Sequence, residues 1–121
     1  MSIAETLAAT SEALVQALET VGGLRTYTDP GAVLDPPGAV LGPPTLTWSG
    51  MGSAPTDARF LVIVAEVADD GALPRLWDLV PRVVEALDEL HDAVVVSASP
   101  GTWTTGGTDL PCYEITVEMA L

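Results

Sequence analysis

Glycine and threonine residues between Gly101 and Thr108 have the spacing of a phosphate-binding loop. The segment reads GTWTTGGT, and nucleotide-binding loops of the pattern G-x-x-x-x-G-K-[ST] use the lysine to contact the phosphates. Gly107 occupies the lysine position, and the chain continues to Pro111 and a strand instead of a helix whose N-terminus would bind phosphate. The spacing therefore favours a hairpin loop over a nucleotide site.

Other residue types that could do chemistry are isolated from suitable partners. His91 is the only histidine and Cys112 is the only cysteine, whereas a general base or a nucleophile needs an orienting partner and a substrate pocket. Asp69-Asp70 and the group Asp88, Glu89 and Asp92 could bind a divalent cation, but they lack the spacing of a calcium loop. We interpret them as helix-capping and surface carboxylates. The sequence thus predicts no catalytic residue, no metal site and no cofactor, and a protein that is not an enzyme.

Composition restricts the class of protein further. The chain has 121 residues, of which 48 % are hydrophobic, which is enough for a single domain, 1–121, with its own core. Four arginines against 17 acidic residues give a net charge of −13, which excludes sequence-nonspecific nucleic-acid binding. The longest apolar run, Phe60 to Ala65, is too short to cross a membrane. The mean hydropathy of +0.37 indicates apolar surface that a partner covers.

Hydrophobic periodicity predicts an α+β fold, a mostly antiparallel sheet packed by two helices in the order α-β-β-β-α-β-β. One helix spans about 3–21, after the capping signal of Ser2 and Glu5. The other begins after Asp69-Asp70-Gly71 and ends near His91, with an apolar stripe that includes Trp77 and a kink or break near residue 78 because of Pro81. Strands are expected at 24–28, 45–48, 59–67, 93–98 and 113–119, with 39–41 as a strand or extended segment and 100–109 as a loop.

The strand predicted at 59–67 is apolar on both faces. Phe60, Val62 and Val64 alternate with Leu61 and Ile63, and a strand that is apolar on both faces is covered on both. We expect the chain's own helices on one face and allow a neighbouring subunit on the other.

The segment 29–57 is rich in proline and glycine, which makes it either a rigid connection or an arm that reaches a partner. It contains Val40 and Leu41 between two proline pairs. Trp48 and Trp103 lie where strands meet loops, so they either cap the sheet or contribute to an interface. Arg25 and Arg59 have no obvious local partner. The predicted interaction residues are Arg25, Arg59, Val40, Leu41, Trp48 and Trp103.

The layout resembles tail terminator proteins of long-tailed (siphovirus-type) bacteriophages, especially those that infect GC-rich actinobacteria. The resemblance lies in an N-terminal helix that ends in Gly22-Gly23, the run DPPGAVLGPP at 35–44, and the closing run PGTW…LPCYEITV over 100–117.

The resemblance implies a structural virion protein of the tail and neck, present in the host cytoplasm during assembly. It would form a homohexameric ring that caps the tail tube, stops its polymerisation and joins the tail to the head connector protein. Its partners would be further copies of itself, the tail tube protein and the connector, with no membrane. Genome DNA would pass through the channel without specific binding, because acidic groups repel its phosphates. The alternatives are another neck protein, such as a head–tail joining ring, and a soluble α+β binding module.

Overall fold

Two helices pack on one mixed sheet in the computed structural model, which describes residues 2–29 and 31–121. The elements are α1 (Ile3–Glu19), β1 (Arg25–Tyr27), β2 (Gly38–Leu41), β3 (Thr45–Thr47), β4 (Asp57–Ala65), α2 (Ala72–Asp88), β5 (Ala93–Thr105) and β6 (Thr108–Ala120). The predicted α+β class is confirmed, and the predicted element order agrees with the structure once the 39–41 segment, expected as a strand or extended chain, is counted as the additional strand β2. Pro30, within the proline-rich segment, lies outside the described residues.

Helix α1 begins where its capping signal predicts. The Ser2 hydroxyl oxygen accepts a hydrogen bond from the Glu5 backbone N–H at 3.1 Å, which satisfies one of the free donors of the first turn. Leu14 and Leu18 are fully buried against the sheet. After the helix ends, Gly23 adopts a φ of 79°, a left-handed conformation that glycine adopts without steric penalty.

Helix α2 continues through Pro81 without a break. It runs from Ala72 to Asp88 as one helix, so of the kink or break expected near residue 78, the break is absent. Pro81 lies on the exposed side of the helix. The Trp77 carbonyl, which loses its helical donor at this position, therefore lies on the side of the helix that faces water. The apolar face of the helix, which includes Leu76, Val83 and Leu87, stays fully buried.

The strand order across the sheet is β1-β2-β4-β6-β5. Strand β1 pairs with β2 in parallel, and the remaining pairs are antiparallel. Strand β4 is central, since β6 runs along one side of it while β2 and β3 share its other side. Strands β1 and β5 therefore end the main strand order, and the short strand β3, which pairs with β4 next to β2, has a further free edge.

The hairpin of β5 and β6 replaces the loop predicted at 100–109. Pairing continues up to Thr105 opposite Thr108, and the connection is Gly106-Gly107, with φ values of 55° and 79°. Two consecutive positive φ values are typical of tight hairpin turns, so the glycines act as turn residues and the threonines as strand residues. Val96 is an extra residue at a bulge between Val95 and Ser97.

Hydrophobic clusters lie on both faces of β4. Phe60, Val62 and Val64 pack with the helices, while Ile63 and Ala65 belong to a second cluster on the opposite face. Leu34, from the proline-rich connection between β1 and β2, covers this second cluster and is only 3 % exposed. The chain thus covers part of the second face itself, where a neighbouring subunit was allowed.

One side chain attaches the covering segment to the hairpin. The Thr105 hydroxyl oxygen accepts a hydrogen bond from the Leu34 backbone N–H at 2.8 Å and donates one to the Ala32 carbonyl at 3.4 Å. Thr105 is 8 % exposed. A buried N–H needs such a partner because leaving it unpaired costs about 1–3 kcal/mol.

We predict that Thr105→Val lowers the free energy of unfolding by about 1–3 kcal/mol, because the Leu34 N–H then lacks an acceptor. Urea denaturation followed by circular dichroism measures the change. Thr102→Val, at an exposed position of the same strand, is the control. Equal losses for both variants would contradict a specific role for the Thr105 hydroxyl.

Candidate interaction surfaces

The Gly101–Thr108 segment does not form a phosphate-binding loop. Gly101 pairs with Cys112 and Thr102 pairs with Pro111 in the hairpin, so their backbone groups belong to strands. The Thr104 hydroxyl donates a hydrogen bond to an Asp109 carboxylate oxygen at 2.6 Å. An acidic residue at this position would repel a bound phosphate.

The acidic pair Asp69-Asp70 organises the start of α2. An Asp69 carboxylate oxygen accepts hydrogen bonds from the Gly71 backbone N–H at 2.8 Å and from Arg75 at 2.6 Å. The bond from Arg75 is the main reason that the pKa of Asp69 is lowered. Within residues 2–29 and 31–121, no three His, Cys, Asp or Glu side chains are close enough together to hold a metal ion.

Two of the predicted interaction residues are interior. Val40 and Leu41 are each 3 % exposed. Val40 packs in the cluster under Leu34, and Leu41 packs in the helix-facing core. Strand β2 is covered on both faces, so neither side chain offers surface to a partner in this conformation. The proline pairs on either side of Val40 and Leu41 are compatible with an arm. The structure shows instead that both residues are apolar because they are buried.

Arg25 and Arg59 each have an acidic partner outside their own strand. Arg25 Nη1 lies 3.5 Å from an Asp35 carboxylate oxygen, and Arg59 pairs with Glu118 on the neighbouring strand. The side chains of all four residues are at least 44 % exposed. Exposed ion pairs of this kind contribute about 0–1 kcal/mol, so both arginines remain accessible to a partner.

The two predicted tryptophans differ in burial. Trp48 is 51 % exposed, and its Nε1 donates a hydrogen bond to the Ser53 carbonyl at 3.2 Å. It begins a loop, 48–56, in which Met51 is fully exposed. Trp103 is half-buried and packs against the cluster under Leu34, where it covers the end of the sheet.

Three exposed aliphatic side chains lie on the part of the sheet that no helix covers. Leu61, Val94 and Val96 are 46 %, 61 % and 53 % exposed, and we call them the open-face patch. Leu61 and Arg59 point away from the helices because they alternate with Phe60 and Val62 along β4. Val94 shares this face, since it lies opposite Glu118, which lies opposite Arg59.

A second apolar surface, the Trp77 groove, lies beside the start of α2. Its volume is about 610 Å³. Trp77 is 59 % exposed and Leu73 is 48 % exposed, and Trp77 Nε1 donates a hydrogen bond to the Tyr113 hydroxyl at 3.0 Å. The groove is lined by Ala68, Asp69, Asp70, Ala72, Leu73, Pro74, Trp77 and Pro111. Sequence periodicity places Trp77 among the apolar residues of α2. The sheet covers only part of this apolar face, and Trp77 lies outside the covered part.

A charge-balanced pocket of about 350 Å³ lies on the other side of α2, next to Gly22 and Gly23. The Glu66 side chain, 8 % exposed, lies 3.7 Å from Arg75 Nε, and one of its oxygens accepts a hydrogen bond from the Val67 backbone N–H at 2.8 Å. Arg82 pairs with Asp78 at 3.7 Å. Each cation in the pocket therefore has a carboxylate of its own chain beside it.

Comparison with known proteins adds no relative. No protein-family model matches the chain, and no curated protein matches its sequence. In the described residues, neither helix has the length and apolar character needed to cross a membrane.

Cys112 is held as a neutral thiol inside the sheet. It is 2 % exposed, and burial together with the negative charge of Glu114 raises its pKa from 9.0 to about 11. The raised pKa favours the protonated folded state, so this contribution to stability is complete below pH 9 and is lost as the pH rises towards 11.

We predict that iodoacetamide does not alkylate Cys112 in the folded protein at pH 8, because the thiolate is scarce and the sulfur is covered. Mass spectrometry measures the modification, with the urea-unfolded chain as the reactive control. Between pH 8 and pH 11 the wild type should lose more stability than Cys112→Ala does. Native alkylation at the unfolded rate would refute the assignment.

Proposed function

We propose that this chain is a structural virion protein, a tail terminator that assembles as a homohexameric ring. The ring caps the tail tube, stops its polymerisation and connects the tail to the head connector. The proposal starts from the resemblance of the sequence layout to this class, and it is supported by the distribution of apolar surface and charge on the fold.

The observation that carries the proposal is the exposed aliphatic surface of the sheet. Leu61, Val94 and Val96 are each about half exposed in a chain of only 121 residues. Apolar side chains grouped on one surface mark protein–protein contacts. The largest fully buried side chains already fill a complete core against the helices, so the open-face patch is surplus to the fold of one subunit.

A ring closes when one surface of each subunit binds a different surface of the next. The charge of the chain fits the channel of such a ring, through which DNA would move. Each added copy brings a net charge of −13, and carboxylates that face a channel would repel DNA phosphates and keep the genome from adhering. A second neck ring, such as a head–tail joining protein, would need the same properties.

The Trp77 groove favours a second candidate, a soluble binding module. An apolar groove with an accessible indole and carboxylates at its rim fits a ligand with an apolar body and a cationic group. The two candidates differ in mass in dilute buffer, because a binding module has the mass of one or two chains.

The decisive experiment polymerises the tail tube protein encoded in the same genome, with and without this chain. We expect shorter tubes with this chain at one end only, visible by negative-stain microscopy and antibody labelling, and a native mass of six chains for the free or tube-bound ring. Unchanged tube lengths with no end labelling would overturn the proposal. Labelling at the connector instead of the tube would indicate another neck ring.

We predict that Arg59→Ala or Arg25→Ala weakens the ring. A strongly acidic chain repels its own copies, and the few cations at subunit contacts offset that repulsion. Native mass spectrometry at increasing ionic strength measures the ring population. Glu118→Gln and Asp35→Asn are the matched controls, since each removes the same intrachain ion pair but lowers the net negative charge. A ring that neither arginine variant weakens would contradict the prediction.

A further inference from the structure

The β5 and β1 edges of the sheet carry no net charge, whereas both helices and the uncovered sheet face are acidic. Strand β5 has 13 residues, AVVVSASPGTWTT, and none of them is ionisable. At the opposite edge, the charge of Arg25 in β1 is matched by Asp35. A chain with a net charge of −13 meets the least repulsion when its copies join through surfaces like these.

Both helices and the uncovered sheet face keep a net negative charge. The acids of α1 are Glu5, Glu12 and Glu19, those of α2 are Asp78, Glu85 and Asp88 against Arg75 and Arg82, and those of the uncovered sheet face are Asp57, Glu114 and Glu118 against Arg59. Contact between two copies through any of these surfaces, the open-face patch included, would bring like charges together, which disfavours it more than contact with a less acidic partner.

The β5 and β1 edges also have unpaired backbone groups. Within the described residues, β5 pairs only with β6 and β1 only with β2, while the three-residue strand β3 pairs only with β4. The outward N–H and C=O groups of an edge strand are a template for pairing with another chain. Natural edge strands commonly use charged side chains, prolines or bulges to prevent this; β5 has no charge, and its bulge at Val96 and its Pro100 both precede residue 101.

We propose that the β5 edge of one copy pairs with the β1 edge of a second copy, so that the sheet continues from subunit to subunit. This inference rests on the proposed ring and names its contact surfaces. The contact is heterologous, since each subunit uses β5 on one side and β1 on the other. Repetition of the same contact adds further subunits, which an edge paired with itself cannot do.

Two features of β5 favour this arrangement over pairing of β5 with itself. The bulge at Val96 and the proline at Pro100 interrupt β5, because a proline has no N–H to donate and a bulge breaks the ladder. A long β5–β5 ladder is thereby disfavoured. The uninterrupted stretch 101–105 is long enough for β1, which has three residues.

Charge also favours the unlike edges. In this arrangement Arg25 of the second copy lies two strand spacings, about 10 Å, from β6 of the first. Near the 101–105 stretch, β6 carries Asp109 opposite Thr104 and Glu114 opposite Ser99, which would attract that guanidinium at low ionic strength. Pairing of β5 with itself would instead bring the β6 carboxylates of both copies towards each other.

Cross-linking of the two edges tests the contact. In a Cys112→Ala background, Thr28→Cys beside β1 and Thr102→Cys in β5 are combined in one chain and treated with a short bismaleimide. We expect a covalent ladder that extends past the dimer, whereas each single-cysteine chain stays at the monomer mass. Dimers from Thr102→Cys alone would overturn the proposal in favour of β5 paired with itself.

Added charge at the edge gives an independent readout. Ser97→Glu/Thr102→Glu places two carboxylates on β5, neither opposite an acidic residue of β6. Ala8→Glu/Ala9→Glu adds the same charge at exposed positions of α1. We expect loss of the ring mass for the β5 variant and retention for the α1 variant, with equal thermal unfolding by circular dichroism.

The outcomes separate this inference from the proposed function. A native ring that survives the β5 charges and yields no double-cysteine ladder refutes the edge contact and leaves the tail terminator proposal standing. A ring that forms the ladder but neither binds nor shortens tail tubes supports the contact and refutes the proposed function. A chain that is monomeric under all conditions, even on tube ends, refutes both.

Discussion

Burial of both faces of β4 is the constraint on which the rest of the fold depends. Every residue from Val62 to Ala65 is buried, so apolar material has to lie above and below the strand. The two helices supply one layer. The other layer is a proline-rich connection with little regular structure, anchored by Leu34. The connection is too short to cover the whole second face of the sheet, so the end around Leu61 is uncovered. The exposed apolar side chains of the sheet lie at this end.

Much of this architecture could be predicted from local patterns. The capping residues of α1, the alternation in β4 and the inward positions of Ile115, Val117 and Met119 depend on neighbours in sequence, which periodicity detects. The second cover could not be predicted, because Leu34 meets Val40 and Leu110 only through the tertiary fold. The glycines and threonines of 100–109 predict a loop, because small neutral residues are typical of turns. In the structure most of these residues pair across the β5–β6 hairpin and are strand residues.

The prediction of surface residues was limited by the same non-local contacts. Trp77 has the same helical spacing as the core residues of α2. It is exposed because it lies outside the part of the helix that the sheet covers, which the sequence does not show. Arg59 pairs with Glu118, 59 positions away on another strand, and Arg25 pairs with Asp35 in the irregular connection after β1, so neither pair has a helical or strand spacing that sequence periodicity detects. Charge, by contrast, could be read along the chain, and the absence of ionisable residues from β5 is visible in the sequence once its strand bounds are known.

The attachment of Leu34 to Thr105 also constrains the order in which the chain can fold. The two residues are 71 positions apart, and closing so large a loop costs conformational entropy before any contact compensates for it. The hairpin of β5 and β6 needs only neighbouring residues and can form early. Strand β1 pairs only with β2 in the described residues, and Leu34 anchors the connection between the two strands, so we expect the β1 edge to form after the β5–β6 hairpin. Late formation of that edge would leave it less time to pair with another chain while the subunit is still folding.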